Sequence, residues 1–556
     1  MHKLPIGVSD FKEIIENDYY YVDKSLLIKD IIDDGSKVIL LPRPRRFGKT
    51  LNLSMLSYFF EKGELDNSSL FEELSIQQAG EEYLQEQGKY PIIMITFKDI
   101  KEETWERTYI KLKQVVAREY KRHRYLLDSD LLDKYDKEQF HEIISLKAEL
   151  PFYEDALRNL SEYLANYHQE KTIILIDEYD QPIQQGYLKG FYQEVMSFMR
   201  NILSGGLKDN PNLNKGVLTG ILRVAKESIF SGLNNLLVST LLDIPYDSYF
   251  GLLEEEVEEI FDYYNLTYKV EEIKSWYNGY KFGEKIVYNP WSIINCIYQQ
   301  GELRPYWANT SGNELIKRLI TESGSGVKKD LEHLLEGSSV KKEIDDNIIF
   351  SDLEKSNNTI WSFLLLSGYL KASKQERKLG HLYCELEIPN IEVEYIYRSI
   401  ILDWFKENLR NEELEWMLKS LTEGDIETFT KIFKEIVESS FSYFDIGRGN
   451  SENFYHAFVL GLMVNLRGEY QVKSNRESGY GRYDVMLIPN NKEQLGIVME
   501  FKKVGNSDSL EEGAKQALEQ IKDRNYRSNL MEEGITEILE IGLAFQGKRV
   551  LVLSRD

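Results

Sequence analysis

One stretch constrains this chain more than any other: Lys37-Val-Ile-Leu-Leu-Pro-Arg-Pro-Arg-Arg-Phe-Gly-Lys-Thr50. Val38 to Leu41 is a short apolar run containing β-branched residues, the mark of a buried strand. After Gly48, Lys49 and Thr50, the residues Leu53, Leu56, Phe59 and Phe60 recur at helical spacing. Strand, tight loop, Gly-Lys-Thr and helix form the setting in which backbone N–H groups at a helix N-terminus wrap a phosphate. Lys49 then reaches the β/γ oxygens and the Thr50 hydroxyl completes Mg²⁺ coordination. Arg46, Gly48 and Leu51 belong to the same candidate nucleotide-binding stretch.

The first glycine of the usual G-x-x-x-x-G-K-[ST] pattern falls at Arg43. A side chain there removes conformational freedom, so Pro42 and Pro44 are expected to set the turn. Arg43, Arg45 and Arg46 are expected to add positive charge beside the phosphates. A bare Gly-Lys-Thr is common, and a loop-to-helix junction with no ligand is the plain alternative.

Lys171-Thr-Ile-Ile-Leu-Ile-Asp-Glu-Tyr-Asp180 decides between them. Its apolar run ends in two carboxylates, as a buried parallel strand does where it opens onto a nucleotide site. Asp177 is expected to hold Mg²⁺ through water or Thr50, and Glu178 to polarise the attacking water. A buried strand running into an acidic turn is the bland reading, but two elements in this order favour a nucleotide hydrolase. A further strand over 215–223 contains Thr219, with Arg223 four residues on. These are candidates for sensing the γ-phosphate and neutralising transition-state charge; a cap and a surface cation are the alternatives.

At 556 residues the chain exceeds what one core spans, so about two to four domains are expected. Cys296 and Cys384 are too few for a disulfide framework and suit a reducing interior. The N-terminus lacks a signal-peptide pattern and no apolar run reaches membrane length, so a cytoplasmic protein without membrane contact is expected. The formal charge is −24; residues 451–556 hold 14 Lys/Arg and 16 Asp/Glu, leaving −22 on the first 450. That acidity argues against a broad nucleic-acid surface in the N-terminal part and leaves room for a local basic groove near the C-terminus.

Residues 252–300 alternate acidic helix and aromatic turn. Trp276-Tyr-Asn-Gly-Tyr280 contains an Asn-Gly turn, and Tyr288-Asn-Pro-Trp-Ser292 an Asn-Pro helix start. They suit a ligand platform or, more plainly, a helical lid packed on the core. Residues 321–329 are expected to be a surface loop. From Ile360 to Pro389, a helix, a turn and a strand over 381–388 resemble a winged-helix unit. Its helices are not basic, so a structural or relay role is preferred over DNA binding.

A second constellation lies at the C-terminal end. Asp484 opens a strand, Asn490-Asn491 turns, and Leu495-Gly-Ile-Val-Met-Glu500-Phe-Lys502 returns. Alternation sends Glu500 and Lys502 to one face and Phe501 to the other, and hairpin pairing can set Asp484 beside Glu500. Two carboxylates and a lysine so placed can hold a divalent cation and activate water for phosphodiester attack, with Glu452 as a candidate third carboxylate. Arg476, Arg482, Gln520 and Tyr526 are candidate nucleic-acid contacts. A surface hairpin with ordinary charges is the alternative, against which the apolar run before Glu500 speaks.

The strings Pro42-Arg-Pro-Arg-Arg-Phe-Gly-Lys-Thr-Leu-Asn52, Asp177-Glu-Tyr-Asp180-Gln-Pro, Trp276-Tyr-Asn-Gly-Tyr and Tyr288-Asn-Pro-Trp-Ser resemble a bacterial AAA-ATPase-like family. Ser474-Asn-Arg-Glu-Ser-Gly-Tyr-Gly-Arg-Tyr-Asp484 with Glu500-Phe-Lys502 resembles the PD-(D/E)xK nuclease superfamily domain found with it. The Arg43 departure is shared by that family. The resemblance implies an α/β chain with a P-loop NTPase core over 1–250 and a helical lid over 251–345. A helical, winged-helix-like region over 346–445 and a C-terminal α/β restriction-endonuclease-like domain over 446–556 follow. It implies ATP and Mg²⁺ as cofactors, with Mn²⁺ as an alternative at the nuclease site. DNA or RNA is the implied partner, defence or mobile-element processing the implied setting, and a homo-oligomer is left open. The expected function is an ATPase coupled to a metal-dependent nuclease. The competing expectation is a nucleotide-gated scaffold or signalling protein whose nuclease-like domain binds without cutting.

Overall fold

The computed structural model describes residues 2–555 except 64–65, 224–235, 267–268, 308–313, 324, 336, 346–349, 351–356, 409–410, 443–454, 456–457, 460–461, 464–465, 467–468, 475–476, 479–480, 483, 506–507 and 548. The chain divides into two compact units, Met1–Leu315 with Lys341–Val393, and Ile316–Val340 with Glu394–Asp556.

The first unit is built on five strands, β1 (Val38–Pro42), β2 (Ile92–Thr96), β3 (Thr172–Asp177), β4 (Leu213–Gly220) and β5 (Leu236–Val238). All pair in parallel, in the order β2-β3-β4-β1-β5. β1 and β3 are buried at every position, which is why they are continuous apolar runs rather than alternating ones. β4 lies between them, pairing Leu41 with Thr219 and Ile176 with Leu218, so the C-terminal ends of all three strands finish side by side. Gly48, at φ 82°, turns the chain from β1 into the helix Lys49–Phe60. The long charged stretch before β3 resolves mainly into the helices Trp105–Arg122, Lys134–Ile144 and Ala156–His168. Thr104 and Asp133 start the first two by accepting from the Arg107 and Asp136 amides.

A small hairpin, β6 (Tyr280–Phe282) with β7 (Lys285–Val287), precedes the helix Pro290–Tyr298, where Asn289 accepts from the Trp291 amide at 2.9 Å. β8 (Val340–Ile344), β9 (Lys371–Lys378) and β10 (His381–Glu387) form a three-stranded sheet in the order β8-β10-β9. Both cysteines are buried and free.

In the second unit, residues 325–329 are not the expected loop but open the helix Ser325–Leu335. Burial of Val327, Leu331 and Leu334 overrides the poor helix propensity of the Ser-Gly pair. β11 (Tyr470–Ser474), β12 (Glu477–Ser478), β13 (Gly481–Arg482), β14 (Val485–Pro489), β15 (Gly496–Lys503), β16 (Ile538–Gln546) and β17 (Arg549–Arg555) follow. Five of them form a sheet ordered β11-β14-β15-β16-β17, in which only β15 and β16 pair in parallel. The crossover between those two carries the helix Leu510–Asp523, which presses close to β16. A Cβ at Gly542 would lie 2.4 Å from the Ala514 carbonyl oxygen. Phe433, Tyr455, Phe501 and Phe545 lie in the core cluster beside this sheet. No helix among the described residues is long and apolar enough to cross a membrane.

Candidate nucleotide and nuclease sites

At the shared end of β1, β4 and β3, Asp177 is fully buried and three hydroxyls converge on it. Thr50 and Thr96 donate to Oδ2 at 2.8 and 3.1 Å, and Thr219 donates to Oδ1 at 2.8 Å. Burial raises the carboxyl pKa and the neighbouring Glu178 charge adds to the effect, while the Thr219 and Thr50 hydroxyls oppose it. Lys49 Nζ donates to the Arg43 and Pro44 carbonyls at 3.1 and 3.0 Å and lies 3.8 Å from Glu178 Oε1. Glu178 and Arg46 both hold left-handed backbone, at φ 51° and 70°.

Lys49, Thr50 and Glu178 face a cleft of about 380 Å³, and the buried Asp177 lies behind Thr50, which donates to it. Gly48, Lys49, Thr50, Leu51 and Glu178 line it, and Arg45, Arg46, Lys98 and Lys101 bring further positive charge against Asp99. Cations outnumber carboxylates there, which favours a polyanion. The Arg46 guanidinium sits 4.3 Å from the ring centroid of Trp291 on the facing wall. Neither Thr219 nor Arg223 lines the cleft; Thr219 is buried behind it, donating to Asp177, which is bonded in turn to the cleft residue Thr50.

Arg43 corrects an expectation. It is 0 % exposed and turned away from the cleft. Nη1 donates to the Ser239 and Pro42 carbonyls at 2.6 and 2.8 Å, and Nη2 to the Tyr246 carbonyl at 3.3 Å. The rings of Phe250 and Phe282 lie 5.0 and 5.7 Å from the guanidinium. Burial lowers its pKa to about 10, which leaves it charged at neutral pH. Its charge holds the loop in shape rather than meeting phosphate.

In the second unit, β14 and β15 pair Val485 with Met499, a register that continues to Asp484 beside Glu500. Asp484 Oδ2 accepts from the Phe501 amide at 2.7 Å. Glu500 is 2 % exposed, and Gln520 Nε2 donates to its Oε1. Lys502 is two residues along the same strand, hence on the same face. Gln520 reaches Glu500 from the helix that the bare Gly542 allows onto the sheet. Tyr526, expected to touch nucleic acid, is 0 % exposed and packed in the cluster around Ile521 and Val498. It therefore presents no surface to a ligand, and burial raises its hydroxyl pKa. Glu452 and Arg476 lie outside the described residues, and Arg482 falls in β13 with its side chain outside them. Among the described residues, no group of three or more His, Cys, Asp or Glu is assembled to hold a metal.

Residues 5–230 match the family model described as Predicted AAA-ATPase, and residues 450–554 match the PD-(D/E)XK nuclease superfamily. The chain carries an AAA-ATPase-like domain and a PD-(D/E)xK nuclease superfamily domain. It is also similar to a protein of Azotobacter chroococcum mcd 1 described as an uncharacterized protein in the vnfD 5' region. The identity is 26 % over 551 residues, 96 % of this chain and 94 % of that one.

Sequence reasoning missed several residues of the AAA-ATPase-like site. Thr96 ends a buried strand as Thr219 does, and the same strand-end argument would have found it. Trp291 lies in the aromatic string Tyr288–Ser292, for which a ligand platform is one of the expected readings, whereas Lys98 and Lys101 come from a distant segment that no local pattern announces. In the nuclease superfamily domain, the Asp484, Glu500 and Gln520 grouping follows from strand alternation and one helix position.

Proposed function

We propose that the AAA-ATPase-like domain binds and hydrolyses ATP with Mg²⁺, and that nucleotide state governs nucleic-acid cleavage by the C-terminal domain. The observation that carries the first half is the meeting of Lys49, Thr50, Asp177 and Glu178 at the ends of β1 and β3. A parallel sheet in which β4 separates those strands supports a P-loop NTPase core over 1–250; residues 251–345 are assigned as its lid. The helix Asn357–Leu366 with the β9–β10 hairpin supports a winged-helix-like region over 346–445, and the mixed sheet with its crossover helix a restriction-endonuclease-like domain over 446–556.

In this reading the amides around Gly48 bind the β-phosphate and Lys49 neutralises the β/γ oxygens. Its ammonium now rests on two loop carbonyls, contacts that phosphate oxygens can replace. The adjoining hydroxyl and carboxylate of Thr50 and Asp177 are hard oxygen donors that fit Mg²⁺, directly or through water. Bound there, Mg²⁺ supplies charge neutralisation for phosphoryl transfer. Glu178 orients water and takes its proton; Thr219 and Arg223 are assigned as sensor and finger. In the C-terminal domain, Asp484 and Glu500, with Glu452, would hold Mg²⁺ or Mn²⁺, which lowers the pKa of water for phosphodiester attack. Lys502 orients that water, and Gln520 holds the Glu500 carboxylate. Arg476 and Arg482 are assigned to the nucleic-acid backbone.

Purified protein incubated with DNA and with RNA, with and without ATP and Mg²⁺ or Mn²⁺, tests both halves. Lys49→Ala should abolish ATP binding, and Glu500→Ala or Lys502→Ala should abolish cleavage while ATP turnover continues. ATP binding retained by Lys49→Ala would end the nucleotide reading. Binding of nucleic acid without cleavage would instead support a nucleotide-gated binding module.

A further inference from the structure

The residues that follow Glu178 are occupied in an unusual way. Asp180 is the N-cap of the helix Gln181–Lys189, yet its carboxylate makes no capping bond. Aspartate is among the best N-cap residues, so something else engages it. Asp180 Oδ2 accepts from the amides of Ile221 and Leu222, each at 2.9 Å, beyond the tip of β4. Tyr179 joins the same segment from both ends: its amide donates to the Thr219 carbonyl at 3.1 Å, and its hydroxyl to the Leu222 carbonyl at 2.7 Å. Between them sits Gly220, where a Cβ would lie 2.6 Å from Asp180 Oδ1 and 2.8 Å from the Tyr179 ring. Four hydrogen bonds and a missing side chain thus clasp residues 179–180 to 219–222.

Glu178 stands between this clasp and Asp177, whose carboxylate takes three threonine hydroxyls. Its φ of 51° is a conformation that a glutamate adopts only when its neighbours impose it. That conformation places its carboxylate 3.8 Å from Lys49. We infer that Tyr179 and Asp180 are positioning residues which act through Glu178, holding its backbone left-handed so that its carboxylate faces the cleft. The inference rests on the nucleotide reading above and adds to it the means by which the general base is aimed. Released from the clasp, residue 178 relaxes towards right-handed or extended backbone and swings its carboxylate off the water.

The test uses the full-length protein and two readouts, ATP turnover and affinity for a trinitrophenyl-ATP probe. Asp180→Ala is expected to slow turnover by at least about tenfold, part of the rate that a positioned base supplies, while probe affinity stays within about threefold. Asp180→Asn, whose carbonyl can accept both amides, should recover most of the loss. In a Glu178→Gln background, Asp180→Ala should cause no further slowing, because both changes remove one function. Tyr179→Phe deletes a single hydroxyl and carries the same comparison should Asp180→Ala fail to fold. It should slow turnover with Glu178 present and do nothing in the Glu178→Gln background. Losses that multiply across the two backgrounds, or probe affinity lost in step with turnover, would overturn the inference alone. A wild-type chain inert towards ATP would overturn the nucleotide reading and this inference with it.

Discussion

Restoring the usual glycine of the phosphate loop should damage this protein. Arg43→Gly removes a side chain that is 0 % exposed and bonded to the Ser239 and Tyr246 carbonyls. Each buried carbonyl left without a donor costs about 1–2 kcal/mol. The void where the guanidinium lay under Phe250 and Phe282 costs about 1–2 kcal/mol more. Glycine also frees the unfolded backbone by about 0.5–1 kcal/mol, while recovery of the buried cation's hydration offsets part of the sum. The expected net loss is about 3 kcal/mol. With a urea slope of about 2–3 kcal/mol/M, the midpoint falls by about 1 M. The chain has two units, so the midpoint is best read where ATP-probe binding disappears rather than from a global signal. Arg43→Lys, a point charge without the planar fork, should recover less than half of the loss. An unchanged or higher midpoint for Arg43→Gly, or tighter nucleotide binding, would refute the account of this arginine as a structural anchor.

Glu392 gives a pH-dependent case. It is fully buried, accepts from Ser292 Oγ and the Trp307 amide at 2.7 Å each, and burial raises its pKa to about 7. A carboxyl whose folded pKa exceeds its unfolded value binds protons more tightly when folded, so its contribution to stability falls as pH rises from about 4.5 through 7. Glu392→Gln, which imitates the protonated form, should melt above wild type at pH 8 and lose that advantage at pH 5. Equal melting at pH 8 would count against it. Gly542→Ala places a methyl 2.4 Å from the Ala514 carbonyl oxygen, so the helix Leu510–Asp523 must move and take Gln520 from Glu500. The expected cost is about 1–3 kcal/mol, with nuclease activity lost and ATP turnover kept; retained cleavage would refute it. ATP-probe binding should alter the fluorescence of Trp291, on which Arg46 stacks, and Trp291→Phe should abolish that change. An identical change in the variant would place the signal elsewhere.

Both sites were readable in the chain because each lies where an apolar strand ends in charge. Val38–Pro42 and Thr172–Asp177 are buried at every position, so their continuous apolar runs could be recognised without knowing their neighbours. The pairing of Asp484 with Glu500 followed from the two-residue period of a strand. What could not be read depends on distant segments. Thr96 is marked by its place at a strand end, but nothing in the sequence near Lys98 or Lys101 shows that they border the cleft with Thr50. The helix Ser325–Leu335 hid behind a Ser-Gly pair, because the burial of Val327, Leu331 and Leu334 is a tertiary fact. The position of Arg43 in the loop points it towards phosphate, and only its carbonyl partners reveal the opposite direction.

The bulky residues of the phosphate loop and the aromatic strings downstream explain one another. Phe47 meets Tyr280 edge-on at 5.0 Å and Phe282 at 5.1 Å; Arg43 lies against Phe250 and Phe282; Arg46 covers Trp291. Pro44 fits against Gly368, where a Cβ would come within 2.8 Å. The downstream strings are anchored in turn. Asn390 donates to the Asn278 carbonyl at 2.9 Å, Gly279 leaves room for the Pro389 carbonyl, and Ser292 donates to Glu392. A glycine-rich loop obtains its shape from conformational freedom, whereas this one is shaped from outside by side chains that reach into residues 239–292. Trp276–Tyr280 and Tyr288–Ser292 therefore serve less as an independent platform than as the other half of the phosphate loop. A shift of that loop on nucleotide binding must be shared by the segment ending at Glu392, where the helix Ile391–Asn408 begins.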